Sequence, residues 1–184
     1  MTSRLRRIAA PAAVVMTAAL FASGCAGQPG AAAVVDGEAI TESELTDAAT
    51  TLEPFLQEGV APAALLGAMI QAPVLVDVAA EQGIGFSADQ AREQLTANAE
   101  AGGIEVPESF SPETMELARY LFLAGLVNQS PDAQAINEEV LARLAELDVE
   151  VSPRYGSWDP TLAQGSPVQP GQPEWIVAPA PEQA

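Results

Sequence analysis

The chain has 184 residues, with 25 acids against seven arginines, no lysine and no histidine, for a formal net charge of −18. Such an acid excess leaves no cationic surface to neutralise phosphates or to hold anionic lipid headgroups, which excludes nucleic-acid binding and polybasic membrane attachment. Without histidine there is no Ser-His, Cys-His or His-metal arrangement, and the single cysteine, Cys25, has no partner for an intramolecular disulfide.

The N-terminus places Arg4, Arg6 and Arg7 before an apolar stretch from Ile8 to Ala22, followed by Ser23-Gly24-Cys25. A basic head, an apolar middle and small residues before a cut are the parts of a secretory signal, here spanning residues 1–24. The apolar run is short for a transmembrane helix, which needs about 20 residues, and it contains Pro11. The ending Ala22-Ser23-Gly24-Cys25 resembles a bacterial lipobox. That resemblance implies a lipid on the Cys25 sulfur, a mature chain starting there, and attachment to the extracytoplasmic face of the cell membrane. Ordinary secretion is the alternative. Cleavage before Cys25 removes three arginines and no acid, leaving a formal charge of −21.

Residues 25–32 are small and read as a tether. Val34-Val35 and Ala39-Ile40 flank Asp36-Gly37, a pair suited to the positive φ angles of a tight hairpin turn. Thr41 with Glu44 three residues later forms a capping box and opens a first helix over about Glu42 to Gln57. Leu45, Ala48, Ala49, Leu52 and Phe55 share one face of it, and Pro54 shortens or kinks its end.

A second helix runs from about Pro62 to Gln82 and is apolar nearly all round. A membrane span is one reading of it. Gln71, Pro73 and Asp77 favour a helix buried at the centre of a bundle, with a kink at Pro73. Ser87 and Gln90 form a second capping box for a helix over Ala88 to Glu100, ended by Gly102-Gly103. Ser111-Pro112-Glu113 starts a fourth helix that reaches about Asn128, and Ser130-Pro131-Asp132 starts a fifth that reaches about Leu147. Val149-Glu150-Val151 alternates as a strand does and pairs with Val34-Val35, closing the two ends of the domain on each other. Residues 161–184, rich in proline, glycine and glutamine, read as a largely disordered tail whose one apolar cluster is Trp175-Ile176-Val177.

The segment from Val34 to Leu45 is similar to the opening of the SurA/PrsA family of extracytoplasmic chaperones, which begin with a Val-Val, Asn/Asp-Gly hairpin and a Thr-x-x-Glu/Asp-Leu helix start. Ala79-Ala80-Glu81-Gln82-Gly83-Ile84 before Phe86-Ser87-Ala88-Asp89-Gln90, and the closing Val149 to Asp159, follow the family's order. The resemblance covers roughly residues 33–160. It implies a mainly α fold: a five-helix SurA N-terminal-like domain with a small antiparallel sheet joining the N- and C-terminal ends. Nothing between Asn128 and Val149 has room for the parvulin isomerase domain of many relatives, so isomerase activity is not carried over. A degenerate parvulin with residual activity is the least favoured reading.

No Walker loop, GxGxxG or aspartate-rich calcium loop occurs, so neither cofactor nor metal is expected. The acid pairs Glu42 with Glu44 and Glu138 with Glu139 read as solvated helix faces. The leading expectation is a lipid-anchored holdase for unfolded or exported polypeptides, without catalysis. Its groove would need exposed apolar side chains, for which Leu66, Met69, Met115, Tyr120 and Phe122 are the candidates; a place in the core is the alternative for each. The negative charge favours basic clients. A second expectation is an envelope scaffold that binds one folded partner through Tyr155-Gly156-Ser157-Trp158 and the tail. The sequence leaves the oligomeric state open.

Overall fold

The computed structural model describes residues 28–55, 59–105, 107, 109–163 and 165–171. Cys25, the signal segment and Trp175-Ile176-Val177 lie outside them. Strand β1 (Ala31–Val35) turns through Asp36 and Gly37, with φ of 49° and 87°, into β2 (Glu38–Thr41). Both central residues of the turn have positive φ, as a type I′ hairpin turn requires. Strand β3 (Val149–Val151) pairs antiparallel with the other edge of β1, Val35 opposite Val149 and Ala33 opposite Val151. The sheet order is therefore β2-β1-β3. Asp36 and Asp148 tie the closure: the Asp36 N–H donates to the Asp148 carbonyl at 2.8 Å, and the Asp148 N–H donates to Asp36 Oδ1 at 2.9 Å. The domain starts earlier than the tether assignment of residues 25–32 allows. Ala31 and Ala32 are in β1, and Ala32 is fully buried, because small side chains let helices pack close to the sheet.

Helix α1 (Glu42–Leu52) opens on the expected capping box: Thr41 Oγ1 accepts from the Glu44 N–H at 3.2 Å, and the Thr41 N–H donates to Glu44 Oε2 at 2.6 Å. It is shorter than expected. Pro54 has no N–H to continue the ladder, and Glu53–Phe55 form a single 3₁₀ turn. Helix α2 (Pro62–Glu81) continues as one helix through Pro73. By length and composition α2 could cross a membrane, but 67% of its apolar window is buried inside the protein, chiefly against α4 and α5.

Helix α3 (Ala88–Gly102) has the expected Ser87–Gln90 capping box and ends at Gly103, whose φ of 66° is left-handed. Ala91, Leu95 and Ala99, four apart, form its buried stripe. Helix α4 (Pro112–Gln129) starts at Ser111, which accepts from the Thr114 N–H. Helix α5 (Ala133–Glu146) does not start on a Ser130 cap. Only three residues separate it from α4, so Ser130 closes α4 while its carbonyl accepts from the Ala133 N–H. Asp132 stands at the N-cap without a side-chain bond.

The apolar interior is one body in two lobes. One joins the sheet, α1, α3 and the first halves of α2 and α4; the other joins α5 to the second halves of α2 and α4. The expected disorder from residue 161 is corrected for the part that is described. After a 3₁₀ turn at Pro160–Leu162, strand β5 (Val168–Gln169) pairs antiparallel with β4 (Ser157–Trp158), and Val168 is fully buried against the core. Room for it comes from Gly67 of α2, where a Cβ would stand 3.0 Å from Pro167 Cδ. Tyr155 and Trp158 are half-buried on the same core.

Candidate functional site

A cleft of about 810 Å³ opens between the β1–β2 hairpin, the middle of α2, the first turns of α4 and the end of α5. Its volume is in the range of ligand sites. Helical spacing places its α2 wall: Met69, Pro73 and Asp77 are successive fours, with Ile70 and Val74 beside them. Val35 and Ile40 come from the hairpin, Leu117 from α4, and Leu147 from the residue after α5. These make an apolar floor. Pro73 adds one polar feature. Having no N–H, it deprives the Met69 carbonyl of its usual donor four residues on, and both residues line the cleft.

The rim is acidic. Asp36, Glu38, Glu44, Asp77, Glu113, Glu116 and Glu146 line the cleft, and Arg143 is its one basic lining residue among the described residues. Three of these acids are engaged locally: Asp36 with the Asp148 N–H, Glu44 in its capping box, and Glu116 with Arg119 at 2.7 Å. Glu38, Asp77, Glu113 and Glu146 form no ion pair among the described residues.

Arg143 does not offset them, because other carboxylates hold it. Its Nη2 lies 2.6 Å from Glu81 Oε2 and its Nη1 3.1 Å from Glu81 Oε1, while its Nε lies 2.8 Å from Glu139 Oε1. The hydrogen bond from Arg143 holds the Glu81 carboxyl below the usual carboxylate range, and the two acids in turn hold the guanidinium more firmly charged. This clamp joins α5 to the end of α2 beside the cleft.

The five candidate groove residues are not brought together. Leu66, with no exposure, and Met115, 6% exposed, are core residues, which corrects their assignment to a groove. On helices apolar nearly all round, periodicity gives no indication of which side a neighbour covers. Met69 does line the cleft. Tyr120 lines a separate cavity of about 260 Å³ with Gln71, Asn128 and Asn137, and burial pushes its phenol pKa up. Phe122 is half-buried against Phe86, ring centroids 5.4 Å apart.

The paired acids are spoken for as structural groups. Glu42 pairs with Arg154 at 3.1 Å, Glu138 accepts from Gln134, and Glu139 pairs with Arg143. Sequence reasoning missed Ile40, Val74 and Leu147 as parts of one surface. The available signals were the expected closure of residues 149–151 on the hairpin and the Met69-Pro73-Asp77 spacing. The arrangement offers apolar contact and negative charge, which together suit binding. No family model, curated protein or solved structure matches this chain.

Proposed function

We propose that this chain is a lipid-anchored, extracytoplasmic binding protein of chaperone type that holds unfolded or exported polypeptides without catalysis. The observation that carries the reading is the open apolar cleft ringed by carboxylates. An apolar floor gives an unfolded segment somewhere to bury its side chains, and a charged rim keeps the holder soluble. The hairpin, helix order and closing strand on which the SurA-like resemblance rests support a domain of that type, here without an isomerase. The lipobox resemblance supports a lipid on Cys25 as the hold on the bilayer.

Delay of aggregation of a reduced, unfolded client by the full chain tests the reading. The expected result is a delay that grows with chaperone concentration. No delay at a several-fold molar excess contradicts it.

A second reading, an accessory protein for one folded partner, draws on Leu121 and Leu126 of α4, each 41% exposed. The half-burial of Tyr155 and Trp158 on the core takes away two of the docking residues it was expected to use. Recovery of one stoichiometric partner from detergent extracts, in place of many unfolded proteins, would favour it.

A further inference from the structure

We infer that the cleft selects cationic amphipathic segments: short apolar stretches flanked by arginine or lysine. The inference rests on the polypeptide-binding reading and adds which sequences are held. Four observations carry it.

First, the floor around Ile40, Met69 and Val74 is apolar, so an apolar stretch is what it can bury. Second, the unpaired acids at the mouth come from four different elements: Glu38 from β2, Asp77 from α2, Glu113 from α4 and Glu146 from α5. Carboxylates from four elements about an apolar patch complement positive charge on the flanks of a segment that buries its apolar centre there. Beside a low-dielectric floor their field is screened less than on open surface.

Third, one of these acids stands where the fold alone does not favour it. Glu146 is in the last turn of α5, whose C-terminal end already carries negative partial charge. A bound cation relieves it. Fourth, the one cation that lines the cleft among the described residues, Arg143, is committed to Glu81 and Glu139, so it does not compete for the rim. The chain's own last residues, 172–184, bring Glu174 and Glu182 and no cation, so they do not complement this rim.

The test uses three fluorescent peptides with one apolar centre and arginine, serine or glutamate flanks, titrated against the full chain. The arginine-flanked peptide is expected to bind about tenfold more tightly than the serine-flanked one, with the glutamate-flanked one weakest. The advantage should shrink as salt rises from about 0.05 to about 0.5 M. Joint substitution of Glu38→Gln, Asp77→Asn, Glu113→Gln and Glu146→Gln should abolish the arginine advantage and leave serine-flanked binding intact. Because the whole surface is acidic, a control neutralises Asp47, Glu93, Glu100 and Glu150, all exposed and outside the cleft, and should keep the advantage. Glu146→Gln alone, which removes a charge opposed by its own helix, gives a partial loss in a folded protein and covers the case in which the fourfold variant does not fold.

Equal binding of all three peptides overturns the inference and leaves the holdase reading standing. An advantage lost equally in the control variant also overturns it, since net charge and not the rim would then select. Arginine-dependent binding at the rim with no delay of client aggregation supports the inference while removing the holdase reading. Binding of no peptide overturns the inference.

Discussion

Arg143 on α5 grips Glu81 at the end of α2 through two hydrogen bonds, 2.6 and 3.1 Å long, and thereby fixes one wall of the cleft to another element. The pair is solvent-facing, so its value lies in geometry more than in gross stability. It also has a defined pH dependence. Glu81 is held below its ordinary pKa by the hydrogen bond from Arg143. A carboxyl depressed in the folded state contributes stability above its unfolded pKa, about 4.3 for glutamate. That contribution is lost as pH falls through the folded value. The urea midpoint of wild type should therefore exceed that of Glu81→Gln at pH 7, and the gap should close on acidification below about pH 4. A gap that persists or widens in acid would contradict the assignment.

Pro167 and Val168 seat on α2 because residue 67 has no side chain. Gly67→Val should force the strap off or strain it, at a cost of about 1–3 kcal/mol. Gly156, with φ 131°, lies against the Gln169 carbonyl so closely that any Cβ would overlap it. Gly156→Ala should therefore part β4 from β5. Both variants are expected to lower the denaturation midpoint and to open residues 160–171 to protease. Unchanged cleavage in both would mean the strap is not held as described.

Leu66 and Met69 are three apart on α2 and have opposite roles. Leu66→Ala removes a fully buried side chain and should cost about 2–5 kcal/mol of stability. Met69→Ser alters the cleft floor and should weaken client binding more than it lowers stability. Equilibrium unfolding and client titration on the same two proteins separate these effects. Equal losses of stability would place Met69 in the core.

Much of this architecture was legible locally. The Asp36-Gly37 turn and the capping boxes at Thr41–Glu44 and Ser87–Gln90 each rest on short-range chemistry with few alternatives, and the alternation of 149–151 marks a strand. What was not legible depends on partners distant in sequence. Val168 is one valine in a proline- and glutamine-rich stretch, too little apolar content to suggest burial until Gly67 is seen beneath it. Leu66 and Met115 look the same as Met69 on helices without a polar face, and tertiary neighbours alone separate wall from interior. The cleft itself arises where the hairpin, α2, α4 and α5 meet, so no single window of sequence contains it. Ser130-Pro131-Asp132 shows a local signal shifted: the Ser130 N–H closes α4 and its hydroxyl accepts from the Asp132 N–H, so α5 begins two residues later, with Asp132 at its N-cap.

Cys25 lies outside the described residues, and its proposed lipid has a direct test. Cys25→Ser should move the protein from the membrane to the soluble fraction while leaving its far-ultraviolet circular dichroism unchanged. Retention of the serine variant in the membrane fraction would mean that something other than a lipid on Cys25 holds it there.

The central claim is that unfolded segments occupy the cleft between the hairpin, α2, α4 and α5. A photo-crosslinking side chain placed at Val74, on the cleft wall, or at Leu121, on the outer face of α4, reports which surface a client touches. With a reduced, unfolded client, the cleft account predicts crosslinking from position 74 and little from position 121. Crosslinking from 121 with none from 74 would contradict it and move the binding surface to α4.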